Sequence, residues 1–176
     1  GQGEEVTILD AEQTDRVITM ENCQNNVISK LTITGGLAHI TDDSTNRNQP
    51  RNKGGGMYLY YSDPTLTDVT IIGNSSNYCG GGMYLWKSDP TLTNVAITDN
   101  WDGSMASIYS YGGGMCLSTS NPTLTNVTIS RNTAIYGGGM KVNSSNPTLT
   151  NVTINGNIAK EGGGMYLTHS SPTLIN

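Results

Sequence analysis

A block of about 25 residues recurs along this chain, and no other feature limits its fold so tightly. The tetrad Gly-Gly-Gly-Met occurs at 54–57, 80–83, 112–115, 137–140 and 162–165, with spacings of 26, 32, 25 and 25. Pro-Thr-Leu-Thr begins at Pro64, Pro90, Pro122 and Pro147, and Pro-Thr-Leu-Ile at Pro172, with the same spacings. Each unit holds three short alternating stretches, such as Met57-Tyr58-Leu59, Thr65-Leu66-Thr67 and Val69-Thr70-Ile71, separated by Gly, Asn, Asp, Ser or Pro. A stretch this short cannot fold alone, and its apolar side chains find partners only when successive units stack. The repeat therefore predicts an all-β solenoid: a right-handed parallel β-helix of about six coils, three short strands per coil, roughly 30 Å long at about 4.8 Å per coil.

The stacking fixes which residues face inward. Met57, Leu59, Leu66, Val69 and Ile71, with their counterparts in each unit, form the interior files, while Tyr58, Thr65 and Thr67 face out. Slim aliphatic side chains suit a narrow tube, in keeping with the absence of Phe. Asn recurs at two turn positions, at 74, 100, 132 and 157 and at 94, 126, 151 and 176, where stacked amides can hydrogen-bond along the axis. Residues 1–53 repeat the design in weaker form. Val6 to Leu9, 16–20, Val27-Ile28 and 31–33 fall on the third, first, second and third strands of successive coils. The expected organisation is one domain over 1–176, with irregular coils over 1–53 and regular repeats over 54–176, read as a segment of a longer chain. The apolar files at its two ends predict end-to-end self-association.

Gly, Thr and Asn supply 22, 23 and 19 of the 176 residues, which speaks against an ordinary helical domain. Nine scattered cations against fourteen acidic residues make no basic face for nucleic acid, and the apolar runs are too short to span a membrane.

At Gly-Gly-Gly-Met and at Ile-x-x-Asn (71–74, 97–100, 129–132, 154–157) the sequence resembles the right-handed β-helix repeat proteins of microbial surfaces. Among these are the polymorphic outer-membrane proteins of chlamydiae, whose repeats read Gly-Gly-Ala-Ile and Phe-x-x-Asn. The opening 7–10 and 31–36 also resembles the entry coil of such proteins. The resemblance implies an extracellular or cell-surface module that acts as spacer, adhesin or sheath element.

The functional expectations are these. On the outward face of the first strand, Tyr58, Tyr60, Tyr84 and Trp86 make a flat aromatic patch on adjacent coils, walled by Trp101 and Tyr109 of the 101–111 loop. Rings with polar tips suit stacking on sugars, so a surface glycan is the expected ligand. Loops at 37–53 and 101–111 emerge from one edge and would gather His39, Asp42, Asp43, Arg47, Arg51, Asp102 and Tyr111 there. The alternative is a carbohydrate-active lyase or hydrolase module, and the outsider an ice-binding surface built on the outward Thr ranks. No cofactor is expected, Ca²⁺ at stacked Asp63 and Asp89 being the one cation site the residues suggest. Asn74 and Asn143 are the candidate glycosylation sites. Cys79 lies five positions from the place that Cys116 occupies in its own coil, so no disulfide is expected, and Cys23 completes an odd count.

Overall fold

The computed structural model describes residues 7–39, 50–103 and 109–176. Within them the chain winds as a parallel β-helix, and every strand pairing is parallel. One six-stranded sheet takes a strand from each coil: Ile18–Glu21, Met57–Tyr60, Met83–Trp86, Met115–Ser118, Met140–Asn143 and Met165–Thr168. Here coils 1 to 5 are those opening on the Gly triplets at 54, 80, 112, 137 and 162. The Met file is continuous in register, with Ile18 taking the Met position in the coil before them.

The second and third strands of each coil form a ten-stranded sheet. They join at a corner where Lys30, Asp68, Asn94, Asn126 and Asn151 all take positive φ, between 52° and 55°. Asn and Asp tolerate this left-handed conformation best among residues with a Cβ, which explains why the repeat keeps them there. The weak N-terminal coils lie as the sequence indicates: Thr7–Asp10 pairs with Leu31 to Thr34, Val27 and Ile28 with Thr65 and Leu66, and Leu31 to Ile33 with Val69 to Ile71.

Met57, Leu59, Leu66, Val69 and Ile71 are at most 1% exposed, while Thr65 faces solvent. Polar files run along the wall beside this core. Asn74, Asn100 and Asn132 are buried, and each carboxamide oxygen accepts from the backbone N–H and side-chain amide of the Asn one coil earlier or from a backbone N–H. Asn157 continues the file through its bonds from Asn132. A second file, Asn94, Asn126 and Asn151, runs along the exposed corner, starting from Asp68. The third was not foreseen: the hydroxyls of Ser88, Ser120, Ser145 and Ser170 each accept the backbone N–H of the Ser one coil before, and bond back to the carbonyl two residues earlier. Buried polar groups are costly unless partnered, and a repeating ladder partners each with its neighbour.

Two expectations need correction. Residues that follow the buried Asn are not merely loop: Leu37–Ala38, Ser75–Ser76 and Trp101–Asp102 form a fourth, three-stranded parallel ladder. Tyr58 is outside the tube but only 4% exposed, buried in a second apolar cluster with Cys79, Tyr84 and Cys116. Val6, Asp42, Asp43 and Arg47 lie outside the described residues.

Candidate functional groove

The Gly triplet sets the geometry of the outer face. Its first Gly has positive φ in every coil, +75° at Gly80 and +62° at Gly112. The turn is so tight that a Cβ on Gly112 would lie 2.1 Å from the Met115 carbonyl oxygen and 3.1 Å from Cys116 Cα. The residue before the triplet is thereby folded back beside the residue after the Met. Two outward files, otherwise five residues apart along the chain, become neighbours: Lys53, Cys79, Tyr111, Tyr136, Glu161 and Tyr58, Tyr84, Cys116, Lys141, Tyr166.

Contact between the files runs diagonally, from one coil to the next. Lys53 Nζ lies 4.8 Å from the Tyr84 ring centre, and Lys141 Nζ 5.7 Å from that of Tyr111. The Tyr136 and Tyr166 rings are 5.3 Å apart. At the matching place Cys79 and Cys116 form a disulfide, their Cα atoms 5.7 Å apart. The expectation that these cysteines are too distant fails because the five residues are not extended. They close around Gly80, and the partner sits one coil on. Cys23 is free and half-buried.

Over the second of these files lies a groove of about 590 Å³. Its floor is Tyr84, Cys116, Lys141 and Tyr166, one side is Tyr78, Tyr111 and Tyr136, and the other is Trp86, Ser118, Asn143 and Thr168. Tyr111 and Tyr136 are stacked at 5.3 Å, with Tyr78 edge-on to Tyr111 at 5.7 Å. Burial pushes the phenols of Tyr78, Tyr84 and Tyr111 up and the Lys141 ammonium down, and lowers Lys53 to about 8.

The aromatic patch read from the sequence is therefore divided. Tyr84 and Trp86 line the groove, whereas Tyr58 is covered by Arg16, whose guanidinium carbon lies 4.6 Å from its ring centre and which donates to the Pro50 carbonyl at 2.6 Å. Tyr60 stacks beside Tyr58 and meets Tyr61 edge-on, outside the groove. Trp101 and Tyr109, 43% and 47% exposed, do not wall it; Tyr111 and Tyr136 do. Tyr111, Tyr136 and Tyr166 carried a readable signal, since each sits directly before or just after a Gly triplet.

Asp102 does not join the exposed loop edge. It is 1% exposed, its carboxylate accepting from Ser76 Oγ and from the Tyr111 N–H at 2.5 Å, so it ties Tyr111 to Ser76 of the coil below. Burial raises its pKa from 3.8 to about 8, against the lowering effect of these donors. Because the folded state holds this proton more tightly than the unfolded chain, its contribution to stability is complete below pH about 4. It is lost as pH rises towards 8. The melting temperature of the wild type relative to Asp102→Asn is expected to fall across that window, as followed by circular dichroism.

The remaining candidate positions are structural in their surroundings. Asn74, 1% exposed, spends its amide on the Ile33 and Ile72 carbonyls and on Asn100, which leaves no accessible nitrogen for a sugar and corrects that expectation. Asn143 is half-buried at the groove edge, its oxygen accepting from Thr168 Oγ1 at 2.8 Å. Asp63 and Asp89 stack, and their oxygens accept the backbone N–H groups of Asp89 and Asn121, in a file continued by Asn121 and Asn146. Among the described residues there is no group of three or more His, Cys, Asp or Glu placed to hold a metal, and no helix long and apolar enough to cross a membrane.

Comparison with curated proteins and with solved structures finds no significant match. A family model described as a right-handed β-helix region matches residues 14–176, nearly the whole chain and every coil of the groove. With its parallel stacked strands, its Gly-triplet corners and its in-register interior files, the chain belongs to the right-handed β-helix family.

Proposed function

We propose that this chain is a non-enzymatic extracellular or cell-surface β-helix module that binds saccharides in the tyrosine-lined groove. The observation that carries the reading is the continuous run of rings beside the Gly triplets: Tyr78, Tyr111, Tyr136 and Tyr166, neighbouring centres 5.3 to 5.7 Å apart. Such a row presents ring edges and phenolic tips, repeated from coil to coil, to successive sugar units. An extracellular setting draws support from the Cys79–Cys116 disulfide, since such bonds persist in oxidising compartments. A rigid rod with one shallow binding strip suits adhesion, where weak contacts gain strength by being many.

The test is a panel of neutral and acidic oligosaccharides titrated against the wild type and the double variant Tyr111→Ala, Tyr136→Ala. Removal of the stacked pair is expected to weaken binding at least tenfold, about 1.4 kcal/mol, with an unchanged β-rich far-UV spectrum. Unaltered affinity in the double variant sinks the reading.

An enzymatic module is the second reading, favoured by one contact: Lys53 Nζ lies 3.4 Å from the Tyr84 hydroxyl, an amine lowered to about 8 beside a phenol. Such a pair has the elements of a base and an acid. Chain cleavage of an acidic polysaccharide that is lost in Tyr84→Phe would move this reading ahead.

A further inference from the structure

We infer that the groove selects anionic saccharides, with the Lys141 ammonium meeting the carboxylate or sulfate. The inference rests on the saccharide reading above and adds the ligand's charge.

Lys141 occupies a floor position where the neighbouring coils place Tyr84, Cys116 and Tyr166. An ammonium here is costly, because the residue is only 9% exposed. Its surroundings compensate it in part. Nζ donates to Thr168 Oγ1 at 2.9 Å and lies 4.1 Å from the Tyr166 ring centre, with Tyr111 farther off at 5.7 Å. An ammonium has three donors, and among the described residues no carboxylate lies within 4.0 Å of this one. Thr168 is itself held by donating to Asn143 Oδ1, so its oxygen is oriented towards the lysine. The charge is thus fixed on the floor of an open groove.

The other titratable groups facing this strip are Lys53, His169 and Glu161 beside the tyrosines, so ammonium groups outnumber the single carboxylate. An anion seated on Lys141 would also touch the Tyr166 ring face. A saccharide unit bearing an acid group offers both, a C–H face for the ring and an anionic oxygen for the amine. The hydroxyls of a neutral sugar can accept from the ammonium but bring no opposite charge, so its desolvation is only partly offset. The same groove should therefore discriminate by charge.

The experiment titrates the full chain with three oligosaccharides of equal length at low and high ionic strength: an oligogalacturonate for carboxylate, a heparin fragment for sulfate and a cello-oligosaccharide as neutral control. At least one acidic ligand is expected to bind tenfold or more tighter than the neutral one, with the preference shrinking as salt rises. The stronger of the two acidic arms identifies the anion. Lys141→Met keeps the aliphatic stem, and is expected to erase the preference by weakening the acidic ligands and strengthening the neutral one, and to hold or raise the melting temperature. Lys141→Arg should restore the preference in part. Equal binding of acidic and neutral ligands by the wild type overturns the inference and leaves the saccharide reading standing, as does a preference that survives Lys141→Met. Binding of none of the three overturns both.

Discussion

Leu124→Asp is expected to abolish the cooperative thermal transition of the whole rod. Leu124 is fully buried in the middle coil, between Leu92 and Leu149 in register. Losing its side chain forfeits about 2–5 kcal/mol in transfer and cavity terms, as Leu→Ala would show. The aspartate then adds an unpaired charge among buried apolar side chains, worth several kcal/mol more. That sum takes most or all of a total stability of about 5–15 kcal/mol. The solenoid offers no bypass, since coils on either side of 124 each depend on the one between them. Thr123→Asp, one residue away and exposed, should stay within about 0.5 kcal/mol of the wild type. Urea denaturation followed by circular dichroism separates the two. A native transition in Leu124→Asp would remove the interior register from the account.

Gly113→Ala is the second substitution of large effect. It acts through space, not through backbone freedom. A Cβ at Gly113 would lie 2.4 Å from the Thr133 carbonyl oxygen, 2.6 Å from the Thr133 nitrogen and 2.7 Å from the Gly138 carbonyl oxygen. All three are backbone atoms, Thr133 at the close of the same coil and Gly138 at the start of the next, so nothing flexible can give way, and the coils must separate. A loss of about 3 kcal/mol or more is expected, at the upper end of what single substitutions cost. Gly156→Ala is the informative contrast. Gly156 has φ +60° but stands at an exposed turn with its nearest atom, Arg131 Cγ, 3.7 Å away. The left-handed conformation alone costs about 1–2 kcal/mol there. If Gly113→Ala proves no worse than Gly156→Ala, the close approach of successive coils at the triplet is not what requires glycine.

The sequence pattern carried the interior because a strand's period of two and a fixed coil length determine each file once one residue is placed. Even the weak coil at 16–20 fell into register, Ile18 against Met57 and Met20 against Leu59. The outer face was less legible, and for one reason. Period gives the side on which a residue emerges but not how sharply the chain turns between strands. The left-handed first glycine brings Cys79 to Cys116 and Tyr136 to Tyr166, whereas a count along an extended chain keeps them apart. The signal was present as a shift of one coil between the residue before the triplet and the residue after the Met. Asp102 escaped for a related reason. Its place in a loop whose length breaks the repeat suggested an exposed binding edge, while the fourth ladder at Ser75–Ser76 turned it inward onto buried hydroxyl and N–H donors.

The central claim, that the groove beside the Gly triplets is the binding strip, is tested most directly by hydroxyl-radical footprinting of the wild-type chain, free and saturated with the tightest-binding oligosaccharide of the panel. Tyr111, Tyr136, Tyr166 and Trp86 are predicted to lose reactivity on saturation, while Tyr61, Trp101 and Tyr109, which are exposed outside the groove, keep theirs. Protection of Trp101 and Tyr109 with the groove tyrosines unchanged would contradict it.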